Sequence, residues 1–213
     1  MEQFINQDWD GRYVEYDFWN SCFEAACKTT SLEIFQKLYP RAENYLDTDD
    51  YSLMDLPSGS LMDSVVSRGV VPILDYLFNL YCPGPTSHYT DLLPKGSGTS
   101  SLLQKAARHG QQETVVYLLD KGFPVLPAAL EAAVRHGNPA LVDLLLKRAG
   151  FVVTATGALS IAVEKEDETV LRMLLEAGAK RLLCSDCKEG LVAEARDQGL
   201  ESMEKLLREH WVE

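Results

Sequence analysis

The segment Leu103-Gln104-Lys105-Ala106-Ala107-Arg108-His109-Gly110 returns as Leu130-Glu131-Ala132-Ala133-Val134-Arg135-His136-Gly137. Self-similarity at a short period constrains a chain more than any single residue, because a unit that recurs is a unit that stacks. The first copy runs on through Glu113, Val115, Val116, Leu118, Leu119 and Gly122. The second runs on through Leu141, Val142, Leu144, Leu145, Leu146 and Ala149-Gly150. Downstream, Leu159-Ser-Ile-Ala162-Val163 leads to Glu166, Val170, Leu171, Met173, Leu174, Leu175 and Gly178, and a weaker copy carries Val192, Ala195, Gly199, Met203, Leu206 and Leu207. Upstream, Met62, Val65, Val66, Gly69, Ile73, Leu74, Tyr76, Leu77 and Phe78 fit the pattern, as do Phe23, Ala26, Cys27, Thr30, Ile34, Phe35 and Leu38.

The turn positions are therefore Thr30, Gly69, Gly110, Gly137, Glu166 and Gly199, with spacings of 39, 41, 27, 29 and 33 residues. Each copy reads as two short helices. The small Ala-Ala pair lets the first helix approach its neighbours, and the Val/Leu run gives the second an apolar stripe at i, i+3, i+4. A glycine between them takes positive φ without a Cβ penalty and ends the first helix. One such hairpin cannot bury its own apolar face, so stacking is required.

The pattern L-x-x-A-A-x-x-G-x-x-E-x-V-x-x-L-L-x-x-G, carried by Leu103 to Gly122 and more loosely by the other copies, resembles the ankyrin repeat family. The resemblance covers about residues 18–212. No copy has the T-P-L-H turn of that family; Ser101-Leu102-Leu103-Gln104 stands in its place. Between Gly122 and Leu130 there is little room for a β-hairpin finger. The resemblance implies an all-α solenoid of about six stacked helix–turn–helix repeats with irregular loops. It also implies recognition of another protein on a rigid concave face, without cofactor. The expected organisation is an aromatic, acidic N-terminal cap over residues 1–17 and the repeat solenoid over residues 18–213, closed by an amphipathic C-terminal helix.

Composition narrows the partners. A net charge of −12 argues against holding a nucleic acid over a large face. No run of about 18 apolar residues exists, so no membrane span is expected. The start Met1-Glu-Gln-Phe-Ile-Asn-Gln-Asp8 lacks a basic, apolar leader, so no signal peptide is expected. Five cysteines, odd in number and scattered, point to reduced thiols and a cytoplasmic or nuclear setting. Residues 1–60 carry 12 acids against 4 bases, and 11 of 19 aromatic residues lie in the first 51, among them Trp9, Tyr13, Tyr16, Phe18 and Trp19. A cap covering the end of the stack accounts for this cluster; an acidic binding arm is the alternative.

Two irregular segments, 44–59 and 81–98, read as loops. The second contains Ser87, His88, Tyr89 and Asp91, but neighbouring loop residues seldom converge as a hydrolytic triad must. Cys184-Ser-Asp-Cys187 has CxxC spacing, yet a structural zinc site usually needs a second ligand pair. No metal or cofactor site is therefore assigned. The strongest positional signal is the pair of residues before each turn: Lys28-Thr29, Ser67-Arg68, Arg108-His109, Arg135-His136, Glu164-Lys165 and Asp197-Gln198. Five consecutive copies place a base there. Stacked at about 10 Å per repeat, these bases would form a cationic row, with Arg68, Arg108, His109, Arg135, His136 and Lys165 as candidate binding residues. Bases at helix C-termini also offset the macrodipole, by about 0.3–1 kcal/mol each, so both accounts stand.

The expected function is a non-catalytic, monomeric scaffold or adaptor that binds another protein through an acidic segment. The alternative is an enzyme or anionic-ligand binder on a divergent repeat scaffold, with His88 and Tyr89 closing over a pocket beside Arg108. A third is inhibition of an enzyme by the acidic N-terminal region.

Overall fold

The computed structural model describes residues 21–46, 61–81, 102–149, 156–178 and 183–211. The N-terminal residues 1–17, Phe18, Trp19, and the stretch holding Ser87, His88, Tyr89 and Asp91 lie outside the described residues. Among the described residues the chain is all-helical, with twelve helices and no strand. They are α1 (21–28), α2 (Leu32–Leu46), α3 (Leu61–Arg68), α4 (Val71–Tyr81), α5 (Leu102–Arg108), α6 (Gln112–Asp120), α7 (Pro127–His136), α8 (Pro139–Ala149), α9 (Thr156–Glu164), α10 (Glu168–Glu176), α11 (Ser185–Asp197) and α12 (Glu201–Trp211). None of them is long and apolar enough to cross a membrane.

All six turn positions have positive φ, from 53° at Thr30 to 82° at Gly137. At Gly110 the amide donates to Ala107 O at 3.1 Å, and the next amide, Gln111, donates to Ala106 O at 2.9 Å. This paired closure satisfies carbonyls that the helix end would otherwise leave open. It recurs at Thr30, Gly69, Glu166 and Gly199. Gly137 differs: its amide is shared between Ala133 O and Val134 O.

The residue after each turn also starts the next helix. The amides of Phe35, Leu74, Val115, Val142, Leu171 and Glu204 donate back to the carbonyls of Ser31, Val70, Gln111, Asn138, Asp167 and Leu200. Three of these starters cap with their side chains. Ser31 Oγ accepts from Ile34 N at 3.3 Å, Asn138 Oδ1 from Ala140 N at 3.1 Å, and Asp167 Oδ1 from Val170 N at 3.0 Å. Pro127 and Pro139 open α7 and α8, where a missing N–H costs nothing.

The chain divides into two compact units, Met1–Ser97 and Gly98–Glu213, where the sequence reading has a single array from residue 18. In the first unit α3 pairs with α4, and α2 packs on α4. Its core is aromatic: Phe23 and Phe35 lie 5.2 Å apart by ring centroid, Phe35 stacks on Tyr39 at 5.8 Å, and Tyr76 meets both edge-on. Residues 35 and 39 share a helix face by their i, i+4 spacing. The helix runs through Pro40 to Leu46, so Asn44, Tyr45 and Leu46, read above as the start of a loop, are helical.

In the second unit the pairs α5/α6, α7/α8, α9/α10 and α11/α12 each form a hairpin. The first helices meet in the order α5, α7, α9, α11, and the second helices α8, α10 and α12 meet likewise, which makes two layers. Ala106, Ala107, Ala129, Ala133, Ala158, Ala162 and Ala195 are all fully buried, and their small side chains permit this approach. Leu103, Leu118, Leu130, Leu141 and Leu145 fill the space between layers. Each such leucine contributes about 1.5–3 kcal/mol on burial. The α6–α7 connection is only the short run Lys121–Leu126, with Phe123 turned into the core.

Candidate functional site

The bases named from the sequence fall into two groups. Arg68 ends α3 in the first unit, where its guanidinium lies 3.9 Å from Glu24; Lys28 lies 3.7 Å from the same carboxylate. Both are thereby partly neutralised within their own unit. Arg108, His109, Arg135, His136 and Lys165 belong to the second unit, and all five are exposed. Among the described residues, none of these five side chains has an ion pair or hydrogen bond.

Bases near the ends of second helices behave otherwise. Lys147 pairs with Asp143 at 2.6 Å and Arg148 with Asp120 at 2.9 Å, both near the end of α8. Arg208, in the last turn of α12, contacts Glu204 at 2.9 Å, as does Arg196 at the end of α11. The two guanidiniums hold the Glu204 carboxyl below its ordinary pKa, with the Arg196 hydrogen bond the largest cause. Bases at helix ends are thus common here, but among the described residues Arg108, His109, Arg135, His136 and Lys165 make no ion pair.

The positions of Arg108 and Arg135 are linked by a direct contact. The imidazole of His136, at the end of α7, lies over Gly110, the turn after α5; a β-carbon built at Gly110 would collide with that ring. The C-terminal ends of α5 and α7 are therefore neighbours, and the two Arg-His pairs lie on one edge of the unit. Next along the stack, the Glu131 carboxylate of α7 covers Gly157 in the first turn of α9, a place where a negative charge suits the helix dipole. Ser160 of α9 then donates to Glu194 of α11 at 3.2 Å. Lys165 follows the end of α9, and the row stops at Asp197 and Gln198, which carry no positive charge. The arrangement can receive carboxylates or phosphates side-on.

Comparison with known protein families, with characterised proteins and with solved structures gives no match to this chain.

An open depression elsewhere on the second unit is lined by Gln112, Glu113 and Val116 of α6. It contains none of the row's residues. Among the described residues no group of three or more His, Cys, Asp or Glu side chains is placed to hold a metal. What sequence reasoning missed is the role of Cys184: its sulfur is the N-cap acceptor of α11, receiving the Cys187 amide at 3.3 Å. An ordinary cap side chain bears an oxygen, so a thiol at that position carries no capping signal in the sequence.

Proposed function

We propose that the chain is a divergent ankyrin-like repeat solenoid that acts without catalysis, as a scaffold or adaptor holding an acidic segment of another protein. The docking surface is the edge that bears Arg108, His109, Arg135, His136 and Lys165. The observation that supports this reading is the pattern of pairing. In a chain of net charge −12, bases at the ends of α8, α11 and α12 have carboxylate partners, while this set has none among the described residues. Stabilisation of the helix dipole explains why a base ends a helix, but not why this set makes no ion pair among the described residues. A partner segment with Asp or Glu side chains about 10 Å apart would match the inter-helix spacing. Arg108 and Arg135 supply planar, bidentate donors suited to carboxylates. Because the edge is preformed by α5 and α7, docking orders little of this chain, and a few anchors carry the affinity.

The test is selection of binding peptides from a displayed library, followed by titration of the selected peptides. Acidic peptides should be enriched. Arg108→Ala with Arg135→Ala should weaken them by at least about a hundredfold, given about 1.5–3 kcal/mol for each charged hydrogen bond, and leave the melting curve unchanged. Binding should also fall steeply with salt. Apolar or basic selected peptides, or full retention of binding by the double variant, overturn the reading.

A further inference from the structure

Cys184 and Cys187 are both accessible: Cys184, whose sulfur caps α11, is exposed, and Cys187 is half-buried. We propose that they form a redox-active dithiol that closes to a disulfide by exchange with a low-molecular-weight disulfide. The geometry carries the proposal. Cys184 is the N-cap of α11, in extended backbone at φ −68°, ψ 160°, and Cys187 stands three residues into the helix. The Cys187 amide points at the Cys184 sulfur from 3.3 Å. Positions three apart in a helix place β-carbons about 5–6 Å apart, and a disulfide needs about 3.5–4.5 Å. A small rotation of the non-helical cap residue closes that gap without disturbing α11.

The two sulfurs are electrostatically unlike. A hydrogen bond from the Cys187 thiol, and then one from the Cys187 amide, hold the Cys184 thiol below the ordinary cysteine value, against the opposing effects of desolvation and of Asp186. Donating the thiol hydrogen bond holds Cys187 above it. Cys184 is therefore the attacking thiolate and Cys187 the resolving thiol. Cys27 is the contrast within the same chain: burial pushes it up to about 11, against the smaller lowering by Arg68, and shields it from reagents.

The reaction balances in two exchanges. The Cys184 thiolate attacks one sulfur of the small disulfide, forming a mixed disulfide and releasing one small thiolate, which takes up a proton. Cys187 loses its proton and attacks the Cys184 sulfur, releasing the second small thiol. The two cysteines are oxidised by two electrons and the small disulfide is reduced by two.

The reduced full-length chain would be incubated with oxidised glutathione and mapped by peptide mass spectrometry. The expected product lacks two hydrogens and links Cys184 to Cys187. In Cys187→Ser the glutathione adduct should be trapped on Cys184. Cys184→Ser should give neither product while keeping the fold, because serine also caps a helix. In the unoxidised chain Cys184 should be alkylated by iodoacetamide about tenfold faster than Cys22. Alkylation of Cys184 no faster than Cys22 overturns the proposal. So does a Cys187→Ser chain without adduct, or a mixed disulfide on the unaltered chain that never resolves. The alkylation rates are read on the unaltered chain, so the outcome does not depend on either variant folding.

Discussion

The two compact units close their turns alike and fill their interiors differently. In the first, the described core is built from interlocking rings, Phe23, Phe35, Tyr39 and Tyr76, and its turn-end bases Lys28 and Arg68 share one acid, Glu24. In the second, buried alanines bring the first helices together, leucines fill the space behind them, and Arg108, His109, Arg135, His136 and Lys165 make no ion pair among the described residues. The same hairpin rule therefore serves two ends: a unit sealed by bulky side chains whose turn-end bases share an internal acid, and a unit with a tight backbone seam whose Arg-His edge is left to the outside.

The largest expected effects come from the cores. Phe35→Ala should cost about 3–5 kcal/mol and Leu130→Ala about 2–5 kcal/mol. Hydrogen exchange would locate the losses. If the units are energetically separate, Phe35→Ala should accelerate exchange in residues 21–46 and 61–81, and Leu130→Ala in residues 102–211. Matching losses throughout both units for either variant would break the comparison.

Smaller effects come from the turns. Gly110 and Gly137 share positive φ, 67° and 82°, so alanine at either should cost about 1–2 kcal/mol in backbone strain. Only Gly110 lies under a neighbour's ring, while a β-carbon at Gly137 meets nothing within 4 Å. Gly110→Ala should therefore be the more destabilising in urea titrations, and His136→Ala should remove the excess. Equal losses at the two positions would mean that the imidazole is not held against the turn.

The smallest effects should be gains. Thr30 and Glu166 are non-glycine residues at φ 53° and 57°. Relief of left-handed strain exceeds the entropy that glycine adds to the unfolded chain. Thr30→Gly and Glu166→Gly should each stabilise by about 0.5–1 kcal/mol, read as a raised denaturation midpoint. A loss at both positions would show that the strain is already compensated locally, for instance by the Thr30 hydroxyl donating to Thr29 O at 2.8 Å.

The sequence made the turns legible because a left-handed residue between two helices restricts side-chain choice, and glycine marks four of the six. Thr30 and Glu166 are visible only by alignment with the echo around them. The end of α2 was harder to read: Pro40 and the acidic residues from Asp47 onward suggest a break near Asn44, yet α2 runs through Leu46. Of the candidate site, the positions were legible and the pairing was not. Whether Arg68 meets Glu24, or Arg148 meets Asp120, depends on which helices come together, and no local pattern encodes that. Cys184 was hidden for another reason. Its sulfur replaces the oxygen of an ordinary cap, so a search for metal ligands passes over it.

In each hairpin one residue completes the closing hydrogen bonds of one helix or directly follows them, and begins the next. A segment inserted there would have to break two caps at once. Length can change only between hairpins, where the turn-to-turn spacing already ranges from 27 to 41 residues. The chain thus comes with its own grafting map: a foreign loop placed after Gly122 meets connecting backbone, whereas one placed at Gly110 would uncouple α5, which carries one Arg-His pair, from α6.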